Sequence, residues 1–449
     1  MKTFTTFLTT CCALISMSAN AQWSTAAMTA GRSELAAASG GDKAIFLSGL
    51  GSMSSPSHEV NIYNSTSDTW STGSVPTRRE NLAGASTGNK ILFAGGSDDW
   101  ILVSFNTVDI YDVTSGTHST EALSAARAKL AGAGSGGKIV FAGGVDDGAG
   151  IVYDVVDIYD TLTDTWSTAH LSVPRYSLCA ASAGNKILFA GGTDYSGSVF
   201  NTVDIYDVTT GLWSTDTLSE ARSNSAAAAS GTKIFIGGGV NTSGAASKVV
   251  DIYDVATGTW TVDSLSQARC LLSAAAVGNN VFFAGGTNGS FSTAYATVDV
   301  YNTASATWSL DHLTTGREGA AATSIGNKFM IAGGLTAGYS PINTIEIYSV
   351  SVTTGAIELN KEEQLSIYPN PVVKNNNYTV ELNSDNQEEA SVVLYDVLGK
   401  VVSSEKRSLS KGNNKLEMNV PSNLLPGIYF VSIKTASFTS VNHKLIITE

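Results

Sequence analysis

The basic residues are the first candidates for chemistry, because they are few and regularly placed. Ahead of Gly355 there are seventeen. Arg32, Arg78, Arg127, Arg175, Arg222, Arg269 and Arg317 recur at a near-constant interval, and Lys43, Lys90, Lys138, Lys186, Lys233 and Lys328 each precede an apolar run. Only Lys2, Arg79, Lys129 and Lys248 fall outside those two series. Seven guanidiniums on one rim would focus field on an anion. Structural pairing competes with that idea and is better supported. Asn61, Asp109, Asp157, Asp204, Asp251, Asp299 and Glu346 keep the same interval, nearly one carboxylate per Arg, and a forked guanidinium suits a carboxylate. The expectation is a set of Arg–carboxylate pairs that serve the fold.

A residue present in every copy of a repeat serves the copy, whereas a residue found in one or two copies is free to serve a ligand. The second class comprises Asp98, Asp99 and Trp100; Asp146, Asp147 and Tyr153; Tyr195 and Phe200; Phe291 and Tyr295; and Tyr339. Aromatic rings beside carboxylates suit sugar stacking with hydroxyl hydrogen bonds, or a protein hot spot. For each ring taken singly, loop packing is the plain alternative. The Asp pairs are of a type that holds Ca²⁺, but no metal and no cofactor is assigned. His118, His170 and His312 fall in outer strands and His58 in a loop, so no histidine cluster converges as copper or zinc would require. Ser-His-Asp chemistry meets the same obstacle.

These residues are positioned by a repeated unit. In "KILFAGGTDYSGSVFNTVDIYDVTTGLW" (Lys186 to Trp213) a glycine pair is followed by a Tyr-Asp step and a Trp. The pair recurs as Gly95-Gly96, Gly143-Gly144, Gly191-Gly192, Gly238-Gly239, Gly285-Gly286 and Gly333-Gly334, with a degenerate Gly49-Leu50 in the first copy. The closing position is Trp23, Trp70, His118, Trp166, Trp213, Trp260 and Trp308, a period of 47 to 48 residues. Each unit divides into four short runs: small residues ("LAGAGS"), an apolar run, an alternating "VDIYD", and one that begins at the Trp. Such runs, bounded by Gly, Asn, Asp and Ser, are strand signals, and no helical period competes. Four-stranded units set radially make a propeller, with small residues where the units converge and a Trp between broad outer strands.

The glycine pair, Tyr and Trp resemble the kelch motif over about Trp23 to Ser349. The resemblance implies a seven-bladed β-propeller. After Tyr348 the Trp position is occupied by Gly355, so Trp23 to Met28 is predicted to complete the last blade, otherwise Arg317 to Tyr348, and to close the ring. Some kelch propellers are similar to galactose oxidase and others act on sialic acids, which keeps a carbohydrate-active enzyme as the second functional expectation behind a binding module.

The two ends of the chain concern export. Lys2, the apolar stretch Phe7 to Met17 and Ala19-Asn20-Ala21 form a signal-peptide pattern with a cut before Gln22. A lipoprotein reading of the Leu8–Cys11 stretch is poor, because Thr10 replaces the usual small residue. Cys179 and Cys270 sit at non-equivalent positions, so no disulfide framework is expected. No later run approaches the ~20 apolar residues of a membrane helix, and a formal charge of −13 argues against nucleic acid.

From Glu358 the repeat stops and "IYPNP", "VVLYDVLGK", "LPGIYFVSI" and a terminal "HKLIITE" follow. Their alternation implies a small antiparallel β-sandwich. In this order they resemble the type A sorting domain of type IX secretion, with Tyr368, Pro369, Asn370, Pro371, Gly399, Lys400, Gly427, Tyr429 and Lys444 carrying the match. An ordinary adhesive module is the bland alternative. The expected organisation is a signal peptide (1–21), a propeller (22–350), a linker (351–364) and a sorting domain (365–449). The expected partners are the type IX machinery, through the C-terminal domain, and an extracellular glycan or protein, through the propeller.

Overall fold

The computed structural model describes residues 22–52, 55–289, 293–350, 366–384, 386–396, 401–422, 424–435 and 443–449. The expected signal peptide and linker lie outside these residues, as do Phe291, Gly399 and Lys400. The described residues are all-β, and no helix among them is long and apolar enough to cross a membrane. The chain divides into two compact units, Met1–Ser351 and Val352–Glu449.

The first unit contains seven four-stranded antiparallel sheets among the described residues. Their inner strands are Ala36–Gly40, Ala83–Thr87, Ala131–Ser135, Cys179–Ala183, Ala226–Ser230, Ser273–Val277 and Ala321–Ile325. We call the sheets first to seventh in that order. Each inner strand packs against the next, and the seventh packs against the first, so the inner strands form a cycle. The seventh sheet is completed from the N-terminus: Gln22–Ala27 pairs with Thr344–Ser349, with Trp23 opposite Tyr348. The expected closing strand is therefore found, displaced by one residue at each end. The Tyr and the closing residue face each other in every sheet, from Tyr63 opposite Trp70 to Tyr301 opposite Trp308. In the second sheet His118 takes the Trp place, stacked on Tyr111 at 4.6 Å with Nε2 2.9 Å from the Asp109 carboxylate.

Several tryptophans also tie neighbouring sheets together. The indole N–H groups of Trp260, Trp308 and Trp23 donate to Asp216, Asp263 and Asp311 of the preceding sheet at 2.8 to 3.0 Å.

Two register corrections follow from the backbone. The glycine pair exists because both residues have positive φ and are crowded. At Gly95 (φ 67°) a Cβ would lie 2.4 Å from the Arg127 carbonyl, and at Gly96 (φ 103°) 2.7 Å from that of Glu80. In the first copy the same places are held by Ser48 (φ 55°) and Gly49 (φ 101°), not by Gly49-Leu50. The amide of Gly49 donates to the Arg79 carbonyl as that of Gly96 does to Arg127, which fixes the equivalence.

The second correction is that the repeat arginine of the second sheet is Arg79, which is buried, and not Arg78, whose side chain is about half exposed. Two adjacent arginines made the choice ambiguous in sequence. The geometry decides it, because only Arg79 reaches Asp109 of the third strand.

In the second unit, Ser366–Tyr368, Asn377–Ser384 and Gly412–Asn419 form one sheet. Val372–Val373, His443–Thr448, Gly427–Lys434, Glu388–Tyr395 and Val401–Leu409 form the other. Val380, Val392, Val431 and Leu445 share one core.

Candidate functional site

The arginine ring is structural. Arg127, Arg175 and Arg222 each place Nη2 2.7 Å from Asp157, Asp204 and Asp251, and Arg79, Arg269 and Arg317 bond Asp109, Asp299 and Glu346. All seven repeat arginines are fully buried. Arg175 also donates to the carbonyls of Gly191 (2.8 Å), Val173 (3.0 Å) and Phe189 (3.1 Å), so the guanidinium ties the turn at Val173 to the second and third strands of its sheet. Arg32 faces Asn61 rather than a carboxylate; burial lowers its pKa to about 10, with the charge of Glu59 opposing the fall. These groups present nothing to solvent. Arg78 lies 3.3 Å from the buried Asp98 and bonds Ser55, which makes Asp98 a loop anchor.

The residue two positions after each repeat arginine belongs to a different structure. Glu34, Asn81, Lys129, Ser177, Asn224, Leu271 and Gly319 all have φ between 51° and 58°. Their amides donate around a closed cycle: Glu34 to Gly319 (2.9 Å), Asn81 to Glu34 (3.1 Å), Lys129 to Asn81 (2.8 Å), Ser177 to Lys129 (2.9 Å), Asn224 to Ser177 (2.9 Å), Leu271 to Asn224 (3.3 Å) and Gly319 to Leu271 (3.1 Å). Left-handed backbone is costly for Leu271 and Lys129. The cycle offsets that cost by satisfying an amide and a carbonyl in every sheet. The ring and the leucines behind it line an axial cavity of about 320 Å³.

The cycle holds the backbone, so the side chains are free to differ, and only Asn81 and Asn224 coincide. A register fixed on Arg79 would have exposed this position in the sequence as one that changes in nearly every copy.

Around this ring the repeat-breaking residues sort into groups. On the acidic side, over the seventh, first and second sheets, stand Glu318, Glu34, Glu80 and Asp99. Glu80 accepts the amide of Asp99 on Oε1 at 3.2 Å, and its carboxyl is pushed up to about 8, first by burial and then by the charge of Glu34. Burial also raises Glu34 and Glu318. Over the third and fourth sheets the loops are linked. Lys129 pairs with Asp147 at 2.9 Å, the Tyr195 hydroxyl donates to Asp147 at 2.7 Å, and Tyr195 lies 5.7 Å from the Tyr176 ring. Burial disfavours the Lys129 ammonium, but Asp147, with Asp99 and Tyr176, together outweigh it and keep the pKa above the ordinary lysine value. Asp146 closes its own turn, accepting the amides of Gly148 and Ala149.

Between the two groups rises an exposed ridge, with Trp100 79% exposed, Ile101 54% and Leu102 63%. It abuts the third-sheet loop, where a Cβ on Gly148 would lie 2.3 Å from the Leu102 carbonyl.

The structure therefore brings Asp99, Trp100, Asp147 and Tyr195 to one arc of the mouth, together with Glu34, Glu80, Lys129 and Tyr176, which the sequence reading did not include. Tyr153, Phe200 and Tyr295 share a backbone place fixed by the repeat. Their amides donate to Gly144, Gly192 and Gly286, and their carbonyls accept from Arg175, Arg222 and Arg317, a place filled in other sheets by Phe105, Ser247 and Ile342. Their backbone serves the repeat. Tyr339 is exposed in the loop of the seventh sheet.

In the second unit the sorting residues converge in part. Asn370 acts as a strand edge, donating to the Lys444 carbonyl (2.6 Å) and accepting the Ile446 amide (2.9 Å), so the segment that holds Pro369 and Pro371 is tied to the last strand. Tyr368 donates to Glu381 at 2.7 Å. Tyr429, two residues into the strand that starts at Gly427, donates to the Leu425 carbonyl at 2.7 Å.

Residues 133–334 match the KLHDC2/KLHL20/DRC7 Kelch-repeats domain, and residues 366–448 match the secretion system C-terminal sorting domain. Among solved structures, one titled "Structure of YjhT" superposes with a TM-score of 0.50 at 16% identity, covering 62% of this chain and 97% of that one, a likeness of fold alone. No curated protein matches the chain. The chain is a kelch-repeat β-propeller followed by a type IX C-terminal sorting domain.

Proposed function

We propose that this secreted or surface protein is a recognition module whose binding face is the mouth of the propeller, with an extracellular glycan or protein as ligand. The observation that carries this reading is the sorting of side chains by role. The repeat arginines are buried and bonded in every sheet, while Trp100, Tyr195, Asp99 and the variable ring gather on one exposed face.

The test is binding of the full-length protein to panels of glycans and extracellular matrix proteins, with reducing-sugar release followed in the same wells. Saturable binding without sugar release, lost in Trp100→Ala, is the expected result. Sugar release would replace recognition with a carbohydrate-active enzyme. Export through the C-terminal domain is checked separately: removing residues 365–449 should trap the propeller in the periplasm, and normal surface display of that truncation would refute the sorting role.

A further inference from the structure

Two circles of residues with opposite character line the axial cavity. One is apolar: the residue after each ring position is leucine in five sheets, as Leu35, Leu82, Leu130, Leu178 and Leu272. Ser225 and Ala320 take that place in the fifth and seventh sheets, and the seventh also puts Gly319 on the ring. The cavity is therefore lopsided. It opens at Gly319, where an added Cβ would meet only Glu34, at 3.9 Å. The ring itself is the polar circle, and its charges are engaged with one another. Lys129 bonds Asp147 at 2.9 Å and its charge acts on Glu34, which the Asn81 side chain also bonds. The uncharged groups beside them are open: the Ser177 hydroxyl and the Asn224 side-chain amide line the cavity with no hydrogen-bond partner among the described residues. At about 320 Å³ the space lies at the small end of ligand pockets. It fits a compact, neutral ligand with one apolar face and hydrogen-bonding groups around its edge.

Resting on the recognition reading above, we infer that the axial cavity takes the terminal ring of a neutral glycan. A pyranose has the required two-sided character: its C–H face lies on the leucines, and its hydroxyls reach Ser177 and Asn224. A sugar acid would need a free cation, and Lys129, the cation of the lining, is held by Asp147. The same aspartate accepts the Tyr195 hydroxyl at 2.7 Å, which places an aromatic face beside the rim for the next sugar unit.

The test titrates the full-length chain with oligosaccharides ending in a neutral hexose, with the same oligosaccharides ending in a uronic acid, and with a panel of short peptides. Saturable binding of the neutral set is expected, with the acidic set weaker by about tenfold or more. Ser177→Ala and Asn224→Ala remove no side-chain bond within the protein and should each weaken neutral binding by about threefold to tenfold. Gly319→Leu should abolish it by filling the opening, at a ring place where Leu271 already sits at φ 51°. Circular dichroism of each variant guards against a folding defect. Equal or tighter binding of the acidic set overturns the inference, and so does neutral binding that Gly319→Leu leaves unchanged. Binding of peptides alone overturns it while the recognition reading stands; silence in every arm overturns both.

Discussion

Along the wall of the axial channel every sheet contributes the same kind of residue, such as Ala37, Gly84, Ala133, Ala181, Ala228, Ala275 and Thr323. A few residues upstream, at the mouth, the ring runs from Glu34 through Lys129 to Leu271 with no common chemistry. The difference is one of available space. On the wall a Cβ at Gly84 would lie 2.8 Å from the Ala37 carbonyl, and one at Gly134 only 2.3 Å from that of Ser86, so neighbouring strands leave no room for choice. At the mouth the backbone is held by its own amide cycle, and the side chains are no longer needed to hold it. The comparison teaches that a repeat protein varies a position once the main chain alone secures it.

The sharpest way to break this comparison is to mutate adjacent arginines or their equivalents that differ only in role. Arg175→Ala leaves Asp204 buried without its partner and should cost about 3–5 kcal/mol in urea unfolding. Arg78→Ala, at a half-exposed arginine that leaves the buried Asp98 without its cation, should cost less, about 1–2 kcal/mol. Similar losses for the two would erase the distinction between wall and mouth.

Next in size is the glycine pair. Gly95→Ala should cost about 2–3 kcal/mol, from strain and collision with the Arg127 carbonyl. At Gly88, also at positive φ but with nothing within 4 Å of its Cβ, the same change should cost about 1 kcal/mol. Equal losses in thermal melts would mean that conformation, and not crowding, selects the pair.

A smaller effect sharpens the mouth side. A carboxyl whose folded pKa lies above its unfolded value favours the protonated fold, and that stability is lost as pH rises through the folded value. Glu80 is raised from 4.5 to about 8 in the company of Glu34, Asp98 and Asp99, so the protein should lose stability across that window, with Glu34 and Glu318 acting in the same direction. Glu80→Gln, which does not ionise, should match the parent near pH 5 and exceed its Tm by a few degrees above about pH 8. A difference that stays constant with pH would show that Glu80 does not titrate in this range. The smallest effect is expected at the rim: Trp308→Phe removes one indole N–H to Asp263 and should cost about 0.5–1 kcal/mol.

Much of this was determined by the sequence alone. The period, the all-β class, the Tyr–Trp pairing and the N-terminal strand that completes the seventh sheet are local patterns repeated often enough to identify themselves, because each copy meets the same packing constraints. The sorting domain was legible from ordered motifs, and the Arg–carboxylate pairs from matched intervals. Tertiary structure alone decided the rest. It set Arg79 against Arg78 and Ser48-Gly49 against Gly49-Leu50, since burial and hydrogen-bond partners distinguish residues that adjacent positions in a string do not. It showed that the backbones of Tyr153 and Tyr295 fill a place that every sheet keeps, whatever the side chain. It also disclosed the amide cycle that brings Glu34, Asn81 and Lys129 to one mouth, because hydrogen bonds between residues almost fifty positions apart, with left-handed φ in each, leave no mark on side-chain identity.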